Sequence, residues 1–328
     1  MYKLLLPSSI ATPTNETTPI DQSQGMGTNP HLSRRAFLEQ LTLATGGLLL
    51  GGLPEVIAAA PNSLQAQVSA LVKRMRAEGR ISSNERTSWS IYDFSSRQKL
   101  VAINEDIPRQ AASMIKPFVA QAFFYTTERR GSGLQYTSSV RDIMERSIRH
   151  SSNTATNELM QMVSRANGNR GPGDVEAVLK KHAPGVFRET SIVEYIPAGG
   201  RTYRNLASAH DYSRFLFALW HSRLPQAQEL REIMGLPNHD RITRRVSSIP
   251  ANVRVYDKTG STARLCGNMG IIECQDSRGR PRPYTFIGII ERDNRTESYT
   301  SWITARSNAM RSVSNLVYLY MKNRHQLV

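Results

Sequence analysis

Runs of strand-forming residues lie near the two ends of this chain, and a long stretch of helical pattern separates them. Residues 89–94 and 99–104 are rich in β-branched and aromatic residues, and the polar segment 95–98 between them is typical of a hairpin. Helical spacing then extends from Ser113 to about Met234. Three further strand runs follow, at residues 253–257, 267–274 and 284–290. A sheet that uses all five runs must join segments that are far apart in the chain.

Each end of this region also carries a helical pattern. Apolar residues recur at helical spacing between residues 62 and 79, ending at Gly79, and again from about Ser301 to Lys322. Terminal helices of this kind can cover one face of an antiparallel sheet. We therefore predict an α/β (α+β) fold, in which an antiparallel five-stranded sheet is flanked by N- and C-terminal helices. An inserted all-helical subdomain is expected at about residues 106–244.

A serine and a lysine stand three residues apart where the helical stretch begins, in Ser113-Met114-Ile115-Lys116. A hydroxyl is a poor nucleophile unless a base lies within hydrogen-bond reach, and this spacing along a helix can provide one. Pro117 follows directly, which places Ser113 at or just before a helix N-terminus. Free N–H groups there favour the negative oxygen of an acyl-transfer intermediate. Taken alone the pair is weak evidence, because a solvated helix face carries the same spacing by chance.

Two more motifs follow in the chain. The run S-S-N-T-A-T-N-E-L begins at Ser151. The run D-K-T-G-S begins at Asp257, between an extended segment and the apolar G-I-I that starts at Gly270. The order of the motifs, their local sequence and their helix or strand context agree at all three sites, which argues against chance.

The motifs S-x-x-K, S-x-N and K-T-G resemble those of the serine penicillin-recognising enzymes. The run at Ser151 is similar to that of the class A β-lactamases, with Ser152 in place of an aspartate. The resemblance covers about residues 62 to 322 and includes the related D,D-peptidases. It implies a β-lactamase/transpeptidase-like fold whose active site lies between the sheet half and the helical half.

The resemblance also implies a role for each motif residue. Ser113 would be the acylated nucleophile, Lys116 its nearest proton acceptor, and Ser151 the group that passes a proton to the leaving nitrogen. Lys258 would face Ser151 and supply positive charge. The N–H groups of Ser113 and Ser261 would form the oxyanion hole. The residues expected at the substrate are Asn153, Thr259, Gly260 and Ser261.

Related enzymes often add an arginine for the substrate carboxylate, at one of two places. The place on the strand after K-T-G holds Met269 here, whereas the upstream place, six residues before Pro250, holds Arg244. A bidentate guanidinium suits a carboxylate. The alternative is that Arg244 is one more surface arginine.

Turnover of β-lactams requires a water activated against the acyl-enzyme, and the E-x-x-L-N loop motif of class A enzymes is missing from this sequence. Glu189 is the first candidate for the base, by its distance from K-T-G, and Glu194 is the second. Either can instead be a surface carboxylate. The interval from Ser113 to Ser151, 38 residues, is shorter than in class A enzymes. This predicts a more open wall of the cleft.

We expect a serine hydrolase that cleaves an amide beside a carboxylate through a Ser113 acyl-enzyme. β-Lactam hydrolysis, and with it antibiotic resistance, is the leading role. One alternative is a D,D-carboxypeptidase or penicillin-binding protein that acts on peptidoglycan stem peptides. A second is a β-lactam or muropeptide sensor that is acylated without turnover. A third is a binder of nucleic acid or envelope polymer on a degenerate hydrolase scaffold.

The N-terminus carries Arg34-Arg35 before a weakly apolar, glycine-rich stretch. This resembles a twin-arginine export signal over residues 1–58, which the Tat machinery reads. It implies a hydrolase domain of residues 59–328 in the periplasm or another extracytoplasmic space. The alternative is an amphipathic helix with two arginines. Met26, eight residues before Arg34, raises the hypothesis of a mis-called start.

The chain is basic, with 42 lysines and arginines against 27 acidic residues. The arginines are scattered and no nucleic-acid-binding signature accompanies them, so we expect a solvated basic surface and no nucleic-acid partner. The histidines and cysteines have no metal-ligand spacing, and we expect neither a metal nor a cofactor. The expected partner, besides the export machinery, is a β-lactam or cell-wall peptide bound by a monomer.

Overall fold

The computed structural model describes residues 63–197, 199 and 204–328. The predicted export signal and its alternative start fall before residue 59 and lie outside the described residues. No helix of the described part is long and apolar enough to cross a bilayer.

Five strands form an antiparallel sheet. They are β1 (Arg86–Asp93), β2 (Gln98–Ile103), β5 (Arg254–Ser261), β6 (Leu265–Gln275) and β7 (Pro281–Glu291). Their order across the sheet is β2-β1-β7-β6-β5. The first hairpin therefore joins the C-terminal strands through β1 and β7, where Trp89 lies opposite Gly288. The predicted fold class is confirmed, including the pairing of segments distant in the chain.

Both faces of the sheet are buried, and β7 shows how the sequence achieves this. Phe286 and Ile290 point into the core under the terminal helices, whereas Ile287 and Ile289 point into the core of the helical block. Successive side chains of a strand alternate between the two faces of a sheet. A strand that is covered on both faces therefore reads as a continuous apolar run.

The terminal helices α1 (Leu64–Ala77) and α8 (Tyr299–His325) cover one face of the sheet, as predicted. The Ser63 hydroxyl accepts a hydrogen bond from Ala66 N–H at 3.2 Å and caps α1, and Gly79 follows its end with φ 70°. Arg306 of α8 pairs with the buried Glu85 just before β1, at 2.8 Å. These contacts fix the helices to the sheet.

The helical block covers the opposite face. Its central helix α2 (Lys116–Thr127) is buried along nearly its whole length. The helices around it are α3 (Ser138–Ile148), α4 (Asn153–Ala166), α5 (Gly173–His182), α6 (Ala209–Trp220) and α7 (Ala227–Met234).

The block also contains a short strand pair that the sequence does not predict. Two short strands, β3 (Arg109–Gln110) and β4 (Leu206–Ala207), pair antiparallel within it. Two residues are too few to produce an alternating pattern, so the sequence gives no local signal for this pair. The pair brings the loop before β4 next to the segment that leads to Ser113.

Candidate active site

Ser113 lies in a short 3-10 helix, Ala112–Ile115, that leads into α2. Ala112, the residue before it, has a φ of 47°, in the left-handed region that non-glycine residues rarely adopt. Pro117 lies in the first turn of α2, as the sequence predicts. Strained backbone of this kind persists only where the surrounding structure holds it, and it clusters at functional sites.

Close packing against the K-T-G strand holds the turn that carries Ser113 in place. A Cβ atom on Gly260 would lie 2.9 Å from Met114 Cγ, and one on Gly267 would lie 2.6 Å from Met114 Cε. Real side-chain atoms do not approach so closely, so a side chain at either position would displace Met114, whose flexible end near Gly267 can shift more easily than its Cγ near Gly260. The glycine of K-T-G thus lets the turn that carries Ser113 lie directly against β5.

A second set of contacts fixes the segment before Ser113. The buried Glu291 accepts a hydrogen bond from Gln110 N–H at 3.1 Å and pairs with Arg109 at 3.2 Å. The Gln110 side-chain oxygen accepts a hydrogen bond from Thr262 Oγ1 at 3.3 Å, one residue after Ser261. The sequence gives no local signal for these residues, because their contacts join positions far apart in the chain.

Lys116 joins the first two motifs. Its side chain is fully buried, and Nζ donates to the Ser151 carbonyl at 2.5 Å and to Asn153 Oδ1 at 2.9 Å. The Ser151 hydroxyl lies 3.3 Å from the same nitrogen. In the described part of the chain no carboxylate contacts this ammonium group.

Burial lowers the pKa of Lys116 to about 6, with a further contribution from the charge of Lys258. At neutral pH the amine is therefore mostly uncharged and has a lone pair to accept a proton. The Ser113 hydroxyl, which is half-buried, makes no side-chain hydrogen bond within the described residues. Lys116 is thus a candidate general base three residues from Ser113, although no hydrogen bond joins the two side chains within the described residues.

Ser151 occupies a tight connection between α3 and α4 and has a φ of 55°. Ser152 caps α4, since its hydroxyl accepts a hydrogen bond from Ala155 N–H at 3.2 Å. Serine and aspartate are both good N-cap residues, which explains why a serine is tolerated where class A enzymes have an aspartate.

Lys258 lies on β5 and is 3% exposed. Burial lowers its pKa, and the Arg241 charge adds to this, although the adjacent Asp257 carboxylate opposes it. Burial, together with the nearby Asp240, raises the pKa of Asp257. In the described part no hydrogen bond joins Lys258 to Ser151, but the two lysines are close enough for Lys258 to depress the pKa of Lys116. Lys258 therefore supplies positive charge to the site.

Arg241, and not the predicted Arg244, reaches the K-T-G strand. Its guanidinium donates to Ser261 Oγ at 2.5 Å and to the carbonyl oxygens of Gly260 and Gly267 at 3.0 and 2.6 Å. Arg244 is exposed and hydrogen-bonds to His239 instead. The spacing from Pro250 does not identify Arg241. The position of Arg241 depends on Asn268, whose side-chain oxygen accepts a hydrogen bond from Arg241 N–H at 2.7 Å.

Glu189 and Glu194 lie in the loop between α5 and β4. Glu189 is exposed, and its N–H donates to Asp211 of α6 at 2.9 Å. The Glu194 carboxylate accepts a hydrogen bond from Arg204 N–H at 3.0 Å. Asn205 also holds this part of the loop, through the N–H and C=O of Glu194 at 3.0 and 2.9 Å.

The part of this loop that meets α4 is Ile196-Pro197. Asn157 clamps Ile196 by two hydrogen bonds of 2.8 Å, one to its N–H and one to its carbonyl. Asn153 donates to the Pro197 carbonyl at 3.5 Å. Ile196 is 2% exposed and packs in the core of the helical block, so the loop meets Asn153 through the backbone of Pro197. Asn157 lies four residues after Asn153, on the same helix face, and that spacing was the signal available in the sequence.

One group of histidine and carboxylate side chains within the described residues has ligand atoms close enough for a metal ion: Glu105, Asp106 and His210. Lys99 Nζ already pairs with Glu105 at 2.7 Å. None of these residues contacts the three motifs.

Comparisons with known proteins agree on a fold. The model of the β-lactamase enzyme family matches residues 126–320. PBP-A superposes with a TM-score of 0.60 at 18% identity, covering 79% of this chain and 96% of PBP-A. An L158E mutant of PBP-A, solved as an acyl-enzyme complex with penicillin G, gives a TM-score of 0.59 at 18% identity, with the same coverage of both chains. An ancestral (GNCA) class A β-lactamase gives 0.59 at 20% identity, covering 79% of this chain and all of that one. No curated protein sequence matches the chain.

Proposed function

This chain belongs to the β-lactamase enzyme family, and within it we propose a serine amidase that forms a Ser113 acyl-enzyme and releases β-lactams slowly. The single observation that carries the proposal is the buried Lys116, with its depressed pKa, hydrogen-bonded to Ser151 and Asn153. In this reading the natural substrate is a cell-wall stem peptide, and a penicillin acts as a substrate mimic.

Acylation follows from the proton acceptor. Neutral Lys116 takes the proton of the Ser113 hydroxyl as Oγ bonds to the substrate carbonyl carbon. The negative carbonyl oxygen is stabilised by N–H groups at the helix start. The C–N bond then breaks, and the proton passes through Ser151 to the leaving nitrogen. The products are the acyl-enzyme and an amine.

The substrate carboxylate has a matching positive site. Lys258 and Arg241 both lie at β5, and Ser261 Oγ is held by the Arg241 guanidinium. Thr259 and Ser261 add hydroxyl groups on the same strand. A D-alanyl-D-alanine terminus and a penicillin both present a carboxylate beside the amide to be cleaved, so this charge does not separate the two substrates.

Hydrolysis of the acyl-enzyme distinguishes a β-lactamase from a D,D-peptidase. Hydrolysis of a β-lactam ester needs a base that activates water. In the loop beside Asn153 the E-x-x-L-N motif is missing, Glu189 is exposed, and the Glu194 carboxylate accepts a hydrogen bond from Arg204 N–H. We therefore favour the D,D-peptidase type over the β-lactamase type. Glu194 keeps β-lactam hydrolysis as the second candidate, because it lies in the same loop two residues before Ile196.

We also propose export through the twin-arginine pathway, because the N-terminal sequence resembles such a signal and the proposed substrate lies outside the cytoplasm. N-terminal sequencing of the protein recovered from an envelope fraction tests this. Cleavage near residue 58 is the expected result, and recovery of the intact N-terminus from cytosol would contradict it.

The test of the proposed function is intact-mass spectrometry of the purified protein with penicillin G, from seconds to hours, with Ser113→Ala as the control. We expect an adduct that depends on Ser113 and persists, and release of D-alanine from an acyl-D-Ala-D-Ala peptide. An adduct that disappears while hydrolysed drug accumulates would establish the β-lactamase. Absence of an adduct would remove β-lactams as ligands.

A further inference from the structure

A basic groove lies between α1, α8 and the loop after Arg244. It is open to solvent, has a volume of about 820 Å³ and is lined by four arginines: Arg74, Arg80, Arg245 and Arg311. The described residues that line it include no aspartate or glutamate. We call this cavity the arginine groove. It contains none of the residues of the acyl-transfer site.

The arginines of the groove are poorly neutralised. One carboxylate, Glu78, serves two of them, at 3.9 Å from Arg74 and 3.4 Å from Arg80. Arg245 is exposed and makes no side-chain hydrogen bond or ion pair within the described residues, and its φ of 63° is rare for a non-glycine residue. The groove therefore carries a large excess of positive charge at neutral pH.

Arg311 is fixed by neutral oxygens. Its Nε donates to the Arg244 carbonyl at 2.8 Å, and Nη1 donates to Asn308 Oδ1 at 3.1 Å. Nη2 donates to the Asp240 carbonyl at 3.3 Å. The Asp240 carboxylate caps the turn after it, accepting from Ile242 N–H at 2.8 Å. Burial lowers the pKa of Arg311 below its ordinary value. The charges of Arg241 and Arg245 lower it further, whereas the charge of Asp240 raises it.

The walls of the groove are partly apolar. Leu71 and Leu316 contribute to the lining, as does Leu319, which is 43% exposed. Apolar walls exclude water and strengthen electrostatic interactions inside a cleft. Guanidinium groups bind phosphate through paired N–H donors, and an arginine cluster is a common way to recognise it.

From the charge, the volume and the guanidinium groups together, we propose that the arginine groove binds a ligand that carries phosphate groups. A volume of this size suits a molecule rather than a single ion. The ligand phosphate would come either from a soluble polyphosphate-like molecule or from a lipid headgroup, and the test separates the two sources.

The test is a titration of the full-length protein with sodium tripolyphosphate, followed by calorimetry at two salt concentrations. Arg74→Gln/Arg245→Gln removes two groove charges. Arg130→Gln/Arg165→Gln removes two exposed arginine charges from the helical block and is the matched control. We expect the groove variant to bind at least tenfold more weakly and the control to bind as the wild type does.

Sedimentation with phosphatidylglycerol vesicles, and with phosphatidylcholine vesicles as the neutral control, identifies the source. Vesicle binding that the groove variant loses would assign a lipid headgroup, whereas binding of tripolyphosphate alone would assign a soluble ligand. If both double variants bind tripolyphosphate equally more weakly, the proposal is overturned, because the overall positive charge of the protein then explains the binding. Failure of the wild type to bind either probe would also overturn it. Penicillin acylation is expected to be unchanged in both variants, which keeps this result separate from the proposed function.

Discussion

Two regions of the candidate site are held in different ways. We call the residues of the three motifs and their neighbours the floor, and the loop between α5 and β4 the wall. On the floor, Met114 packs on Gly260 and Gly267, and Lys116 bonds to Ser151 and Asn153, so the contacting residues belong to short motifs or lie within a few residues of them. The wall is a loop held by asparagine side chains, through hydrogen bonds to its backbone. Backbone contacts position a loop without dictating its side chains. The side chains proposed for acylation are thus fixed by their contacts, whereas the side chains of the loop are free to vary.

The largest effect should come from the centre of the floor. Lys116→Met removes the proton acceptor and should slow acylation by penicillin by about 10²- to 10⁴-fold. Rapid-quench intact-mass measurements give the rate. Lys181→Met, an exposed lysine at the end of α5, is the control and should acylate as the wild type does. Unchanged acylation in Lys116→Met would show that another group is the base.

The pH profile of acylation sharpens the same point. Lys116 must be uncharged to accept a proton, and its pKa is lowered to about 6. The rate should therefore fall about tenfold for each pH unit below this value and level off above it. A fall at alkaline pH is expected as Lys258, whose pKa burial lowers, loses its charge. Lys258→Met should lose the alkaline limb and keep the acid limb. A profile with no acid limb near pH 6 would contradict a neutral lysine base.

The carboxylate site gives the next effect in size. Arg241→Ala should reduce kcat/KM for a substrate with a free carboxylate by about ten- to a hundredfold, since a hydrogen bond to a charged group is worth about 1.5–3 kcal/mol. Arg244→Ala should change it less than twofold. A substrate with an esterified carboxylate separates two roles of Arg241: a loss confined to the free acid indicates carboxylate binding, whereas equal losses on both substrates indicate that the variant disturbs β5. A larger loss of kcat/KM in Arg244→Ala than in Arg241→Ala would show that Arg244, as the sequence predicted, binds the carboxylate.

The smallest effect is expected on the wall. Glu189→Gln and Glu194→Gln should each leave the lifetime of the penicillin adduct within about twofold, because neither carboxylate is held at the nucleophile. The decay of the adduct mass over hours measures this. A tenfold longer lifetime in either variant would identify that glutamate as a deacylation base and remove the contrast between floor and wall.

The parts of the molecule that could be predicted are those with a local physical signal. The terminal helices, the hairpin and the three C-terminal strands follow from periodicity, caps and β-branched residues, and the start of α2 follows from Pro117. The three motifs predicted which residues belong to the candidate site.

The parts that could not be predicted depend on contacts between distant residues. Arg241 reaches Ser261 because Asn268, 27 residues later, holds its backbone. β3 and β4 are too short to have a period of their own. The loop that contains Ile196 is held against α4 by Asn157, a contact that a search for the E-x-x-L-N motif cannot detect.

The pairing of β1 with β7 has a consequence for how the protein is made. The hairpin emerges from the ribosome about two hundred residues before the strand that completes its edge. Until then β1 has an unpaired side that other chains can join. Such non-local topology slows folding. A chain that ends before residue 281 should therefore aggregate or be degraded. Only a chain that has completed β7 and the helix after it can escape both.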